Sequence, residues 1–150
     1  MPNKTALVTG ASEGIGAEFI QILAARGYDL ILVARSEDKL NRLAAKAETE
    51  FNIKCTVIVA DLSQSKAAHN LFQRVHELSL DVNFLVNNAG LLKNGFFTEL
   101  SLEEQEKMIA VNVIALTSLT HLFANYMASK DGGYILNVAS LAGWMAIPNQ

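Results

Sequence analysis

Three glycines open the chemistry of this chain. Gly10, Gly14 and Gly16 lie in Thr9-Gly10-Ala11-Ser12-Glu13-Gly14-Ile15-Gly16, between the aliphatic run Thr5-Ala6-Leu7-Val8 and an amphipathic segment over residues 17–26. The pattern reads strand, glycine turn, helix. A glycine at 10 allows a tight exit from the strand, one at 14 lets a pyrophosphate approach the backbone, and one at 16 lets the helix pack closely on a sheet. The helix N-terminus adds unpaired N–H groups and a partial positive charge, both suited to phosphate. Further along stand Arg35, the pair Asp61-Leu62, the run Asn87-Asn88-Ala89-Gly90, Asn112 and Ser140.

The elements that must position these residues alternate. Residues 28–34 form a continuous apolar run, the mark of a parallel strand covered on both faces. Ser36 stands as a candidate N-cap ahead of Glu37 and Asp38, and apolar residues continue at helical spacing to about residue 50. A third strand is predicted over 53–59. A helix opens at Ser63 with Leu71, Val75 and Leu78 on its buried stripe, and a fourth strand covers 82–86. A loop over 91–100 carries Asn94-Gly95 as its turn and Phe96-Phe97 as an apolar plug. Ser101 and Glu104 form a capping box that starts one long helix to about residue 129. Met108, Val111, Ala115, Leu119, Leu122 and Tyr126 share one stripe of it. Ile109, Val113, Leu116 and Phe123 widen that stripe, so the helix packs on the sheet and on something else. A fifth strand covers 134–138. Alternating strands and helices imply an α/β doubly wound parallel sheet of the Rossmann type, in one domain spanning 1–150. Gly10 to Gly16, Arg35, Asp61, Asn87 to Gly90 and Ser140 then gather at the carboxyl edge of that sheet, where such folds bind ligands.

Composition narrows the functional classes. Of 150 residues, 51% are hydrophobic and 18% charged, which is a folded rather than a disordered composition. The net charge of -3 gives no general attraction to nucleic acid or to an anionic membrane. No apolar run approaches the ~18 residues of a membrane span. Met1-Pro2-Asn3-Lys4 leads straight into the first strand, so no leader is expected. A single cysteine, Cys55, excludes an internal disulfide and fits a reducing, cytoplasmic setting, with the thiol packed as a small apolar group in a strand. His69, His76 and His121 sit singly on predicted helices, and no metal site is expected.

Taken together, the glycine turn, Asp61-Leu62, Asn87-Asn88-Ala89-Gly90, Asn112 and Ser140 resemble, in order and spacing, the motifs of the classical short-chain dehydrogenase/reductase family. The resemblance implies a nicotinamide cofactor and hydride transfer between its C4 and a small-molecule alcohol or carbonyl carbon. Gly10, Ser12, Gly14, Ile15 and Gly16 resemble the cofactor-phosphate turn. Asp61 and Leu62 resemble the pair at the adenine, with N-capping of the next helix as the other role open to Asp61. Asn87 resembles the residue that braces the central strands. Asn88, Ala89 and Gly90 resemble the stretch that passes the nicotinamide ribose. Asn112 resembles the asparagine that kinks the long helix and holds a water of the proton relay. An amide inside so apolar a helix needs partners, since burying it unpaired costs ~1–3 kcal/mol, unless it faces solvent. Ser140 resembles the serine that hydrogen-bonds the substrate oxygen, and a plain strand-end turn serine is the alternative. Leu141, Trp144 and Met145 resemble a substrate-pocket wall, with core or subunit packing equally open to them.

Cofactor choice follows from the end of the second strand. A ribose 2′-hydroxyl is usually met there by an acid, about 20 residues beyond the glycine turn. Here Ala34 is uncharged and Arg35 follows. A guanidinium suits a 2′-phosphate, so NADP(H) is favoured over NAD(H). Glu13 argues the other way, because many NADP-preferring relatives carry a basic residue at its place. The same features weigh against a methyltransferase-type Rossmann domain.

The family's Tyr-x-x-x-Lys pair has no counterpart after Ser140 before Gln150, so the fold is expected to stop after its fifth strand, leaving that strand at a sheet edge. Tyr126-Met127-Ala128-Ser129-Lys130 matches the letters. Its helix runs antiparallel to the strands, however, which separates Lys130 from Ser140 by ~16–20 Å of strand and from Asn112 by ~27 Å of helix. Cofactor binding with little or no turnover is therefore expected of this chain. A catalytically silent dinucleotide-binding module working through a partner is the alternative. The family's use of the long helix at subunit contacts implies a homo-oligomer.

Overall fold

Residues 4–149 are described by the computed structural model; residues 1–3, which carry most of the expected leaderless start, and residue 150 lie outside it. Five parallel strands form one sheet in the order β3-β2-β1-β4-β5. They are β1 (Thr5–Thr9), β2 (Asp29–Ala34), β3 (Cys55–Val59), β4 (Val82–Asn87) and β5 (Tyr134–Asn137). In register, Val8 lies between Leu32 of β2 and Val86 of β4. The chain winds outward from β1 to β3, then crosses back to β4 on the other side of β1. That reversal leaves a crevice beyond the carboxyl ends of β1 and β4.

The alternation of side chains splits each central strand between two cores. Ala6, Val8, Leu30, Leu32 and Val86 face α1 (Gly14–Ala25) and α2 (Glu37–Phe51), where Ile20, Leu23, Leu40 and Ala44 meet them. Leu7, Ile31, Val33 and Leu85 face the opposite layer, built from α3 (Ala67–Glu77) and the long helix, through Leu71, Val75, Leu119 and Phe123. Complete burial of Ala6, Leu7 and Val8 in succession explains why β1 is apolar on both faces. β5 is the outer strand beside β4 and is largely exposed, with Tyr134 and Leu136 open, as expected of an edge.

Two helix starts differ from the sequence reading. α1 begins at Gly14 rather than residue 17, because the Glu13 carbonyl already accepts from Ala17 N. It ends in a Schellman-type turn, with Gly27 at φ +77° and Tyr28 N donating to Leu23 O. Ser36 occupies the N-cap position of α2, but its hydroxyl caps nothing. The segment after β3 makes turns before α3 begins at Ala67, because the Asp61 carboxylate binds Ser63 N, Ser63 Oγ and Gln64 Nε2. Lys66, at φ +60°, then blocks upstream extension of the helix.

The expected long helix is three pieces in line: α4 (Leu102–Ile109), a π-helical segment (Ala110–Ala115) and α5 (Leu116–Ala128). Ser101 caps it as anticipated, its hydroxyl accepting from Glu104 N. By length and composition the stretch Leu102–Ala128 is apolar enough to cross a membrane, at a mean hydropathy of 1.5. Counting only uninterrupted apolar runs missed this, because scattered polar residues break the run without removing its overall character. In this fold Val111, Ala115, Leu119, Phe123 and Met127 are buried along one face of it.

Candidate functional site

The end of β1 is locked to the end of β4. Thr9 is buried, and its hydroxyl donates to Val86 O while accepting from the backbone N–H groups of Asn88 and Ala89 at 3.0 Å each. Asn88 returns the contact, its side-chain amide donating to Thr9 O at 3.0 Å and Gly10 O at 3.2 Å. Asn87 is buried one residue earlier and donates to Thr120 Oγ1 on α5 and to Asn137 Oδ1 on β5. Its own Oδ1 is buried without a partner among the described residues. So Asn87 ties β4 to β5 and α5, while Asn88 ties β4 to the glycine turn.

The three glycines serve different ends. Gly10 turns at φ +64°, and a Cβ there would stand 2.8 Å from Ala89 Cα. A Cβ on Gly16 would overlap the Gly10 carbonyl oxygen and stand 2.6 Å from Asn88 Nδ2. Gly16 therefore packs against the turn itself as well as beneath the helix. Gly14 is the open one, at φ +55° with nothing within 4 Å of the Cβ position. No side chain caps the α1 N-terminus. Open space at Gly14 and a helix end with no side-chain cap are both features that suit a phosphate.

A cavity of about 380 Å³ extends from this turn along the carboxyl edge of the sheet. Gly10, Ser12, Arg35, Asp61, Leu62, Asn88, Ala89 and Gly90 all line it. Gly14, Ile15, Gly16, Asn112 and Ser140 are not among its lining residues. Ile15 is exposed on the first turn of α1. Arg35 forms no ion pair among the described residues. Asp61 is held below the usual carboxylate range, first by the Gln64 amide, then by Ser63 and the nearby Arg35 charge. The carboxylate thus stays ionised at neutral pH.

Asn112 is exposed, not buried, yet both halves of its amide are used. Its Oδ1 accepts from Leu91 N and its Nδ2 donates to Leu91 O, each at 2.8 Å. The π-helical segment surrounds Asn112, and a widened turn of this kind re-aims side chains at functional sites. A π segment stands where a kink is expected, and the amide's partner is the loop backbone after Gly90. The same loop is moored to α4 elsewhere: Lys93 N donates to Met108 Sδ, Lys93 pairs with Glu104, and Gln105 Nε2 donates to Phe97 O and Leu100 O.

Ser140 is exposed beyond β5. Its Oγ accepts from Ala142 N at 3.1 Å, capping a single 3₁₀ turn over Leu141–Gly143. Tyr126 lies away from this edge. Its hydroxyl donates to Asp81 Oδ1 at 2.6 Å, just before β4, and that carboxylate pushes the phenol up to about 12. A proton-transferring tyrosine needs the opposite shift. Lys130 sits 5.7 Å over the Tyr126 ring. Cys55 is half-buried on β3, where burial, aided by Glu48 and Asp29, pushes its thiol up to about 12.

Sequence reading missed several contributors. Thr9 was part of the glycine stretch but had no role of its own; a buried hydroxyl ending an apolar strand was the available signal. Asn137 interrupts Tyr134-Ile135-Leu136 in the same way. Gln64, Leu91 and Lys107 also line the cavity. Lys107 gives no local signal, since its place depends on how the long helix crosses the sheet edge.

A profile described as short chain dehydrogenase matches residues 4–150. The chain is 38% identical over 148 residues to a very-long-chain 3-oxoacyl-CoA reductase of Pyrenophora tritici-repentis, covering 95% of this chain and 43% of that protein. It is 34% identical over 142 residues to a 7beta-hydroxysteroid dehydrogenase of Collinsella aerofaciens, covering 95% of this chain and 53% of that one. The solved short-chain dehydrogenase from Sphingobium yanoikuyae in complex with NADPH superposes with a TM-score of 0.87 at 36% identity, covering 94% of this chain and 55% of that chain. The chain therefore spans about half the length of these relatives.

Proposed function

Because the chain belongs to the short chain dehydrogenase family, we propose that it is the NADP(H)-binding portion of an oxidoreductase that interconverts alcohol and carbonyl groups. The carrying observation is the cavity at the β1–β4 reversal, lined by Gly10 and Ser12 of the glycine turn together with Arg35, Asp61 and the Asn88-Ala89-Gly90 stretch. These residues fit a dinucleotide. Gly10 and Gly16 have no room for a side chain, Gly14 leaves its backbone bare, and Arg35 offers an unpaired guanidinium. On this reading Gly14, Ile15 and Ser12 hold the phosphates, Arg35 and Ser36 the 2′-phosphate, Asp61 and Leu62 the adenine, and Ala89 and Gly90 the nicotinamide ribose. When bound, the nicotinamide supplies or accepts the hydride.

Ser140 and Asn112 belong to the reacting end of the same reading. Ser140 Oγ accepts from Ala142 N and keeps its own proton to donate to a substrate oxygen. Asn112 positions the loop after Gly90. Tyr126 is committed to Asp81, which supports cofactor binding with little turnover by these residues alone. That same contact keeps open a silent module acting through a partner.

The substrate is proposed to be an alcohol or carbonyl with a large apolar part. Two relatives are named for a very-long-chain acyl-CoA and a hydroxysteroid. Exposed Phe97, Leu141 and Trp144 supply apolar surface on the segments after β4 and β5. Exposed Ile109, Val113 and Ile114 on the long helix support self-association, with a homo-oligomer as its product. A reducing, cytoplasmic setting completes the proposal.

Calorimetric titration with NADPH and NADH tests it. NADPH is expected to bind more tightly, and Arg35→Ala to weaken NADPH roughly 10- to 100-fold, the range for a lost charge-assisted contact, with NADH little changed. Binding of neither nucleotide removes the cofactor reading. Equal affinity for both removes the preference alone.

A further inference from the structure

Glu13 is the residue that does not fit an NADP(H) site, since a carboxylate beside a phosphate turn repels the ligand. The structure shows where its charge goes. Lys39, in the first turn of α2, reaches across to Glu13 and places Nζ 2.6 Å from Oε2. Glu13 is the N-cap residue of α1, with extended backbone at φ -165° and ψ 171°, yet its side chain makes no cap bond. The carboxylate is drawn off the helix end and onto a partner 26 residues away. Arg35 is its other neighbour. Glu13 and Arg35 line the same cavity, and Arg35 already helps to keep the Glu13 carboxylate ionised, after Lys39.

From this geometry we infer that Lys39 determines cofactor specificity by sequestering Glu13, so that the Arg35 guanidinium stays free for a 2′-phosphate. The inference rests on the dinucleotide reading above. Side chains at this pair are 73% exposed for Glu13 and 48% for Lys39, so the bridge itself adds little to stability. Its consequence is placement. With Lys39 gone, the unpaired carboxylate has Arg35 as its remaining cation, and an Arg35–Glu13 pair occupies the donors that a 2′-phosphate needs. NADH, which lacks that phosphate, loses far less.

The test is a thermodynamic cycle on the full chain. NADPH and NADH are titrated against the parent, Lys39→Met, Glu13→Gln and the double variant, with thermal melts to check folding. Lys39→Met is expected to weaken NADPH roughly three- to tenfold, as for exposed like charges within a Debye length, and NADH less than about twofold. Adding Glu13→Gln is expected to restore NADPH affinity to within about twofold of the parent, because no carboxylate then remains to compete. If Lys39→Met costs as much in the Glu13→Gln background as in the parent, Lys39 touches the nucleotide directly and the inference falls. Equal losses for NADPH and NADH also overturn it. A parent chain that binds neither nucleotide fails at the prior step, so the two failures are told apart by the first titration.

Discussion

Substituting alanine for Gly16 or for Gly14 separates two reasons for a glycine. At Gly16 the new methyl group would overlap the Gly10 carbonyl and stand 2.6 Å from Asn88 Nδ2. A rotamer change cannot relieve the first clash, because the Cβ position is fixed by the backbone and the carbonyl is backbone itself. The turn must move, and the Asn88 bonds to Thr9 O and Gly10 O move with it. Overpacking costs about 1–3 kcal/mol, and each lost hydrogen bond adds about 1 kcal/mol, so Gly16→Ala is expected to lose about 3–5 kcal/mol. That is a large fraction of the roughly 5–15 kcal/mol that holds a typical domain together. At Gly14 nothing lies within 4 Å, and only the φ of +55° opposes a side chain. Gly14→Ala is expected to cost about 1–2 kcal/mol, with a greater effect on NADPH binding than on stability. Urea unfolding followed by circular dichroism reads the first quantity, and nucleotide titration the second. The reasoning is refuted if Gly16→Ala stays within about 1 kcal/mol of the parent, or if Gly14→Ala proves the more destabilising of the two.

Two further outcomes are expected. Tyr126→Phe removes the bond to Asp81 and is expected to cost about 1 kcal/mol at neutral pH while leaving NADPH affinity unchanged. Because folding raises this phenol to about 12 from an ordinary 10.0, its contribution is complete below pH 10 and disappears as pH rises toward 12. A Tyr126→Phe variant with weakened NADPH binding would contradict the placement of Tyr126 away from the site. For Cys55, a thiol raised from 9.0 to about 12 holds about a thousandfold less thiolate at pH 8 than an ordinary one. Alkylation by iodoacetamide should be slower than for a small thiol by at least about tenfold, since the greater nucleophilicity of a less acidic thiol offsets part of that loss, and a comparable rate would show that β3 opens readily.

Much of the fold was legible because burial on both faces leaves a plain mark. The apolar run Leu30 to Val33 reads as a parallel strand covered on both faces, and the glycine spacing after β1 marks the turn. Residues whose partners are distant in sequence were less legible. Asn112 read as an amide needing partners in an apolar helix, but the helix side it occupies is exposed and the partner is a loop backbone 21 residues earlier. The late start of α3 depends on Asp61 turning its carboxylate to Ser63 and Gln64, a choice between two roles that one residue's identity does not decide. Glu13 read as an argument against NADP(H) because Lys39, on another element, could not be placed beside it.

The clasp between Asn112 and Leu91 bears on how this edge can move. With Leu91, Lys93, Phe97 and Leu100 all fastened to the helix that carries Asn112, residues 91–100 have little freedom of their own. They are less a flap over the crevice than an extension of α4. Admission of a large molecule past Phe97 then calls for the loop and α4 to swing as one piece. The π-helical segment, where the regular ladder is interrupted, lies at the junction of that piece with α5, so the turn that holds Asn112 also marks the border between loop-bearing α4 and the buried helix behind it.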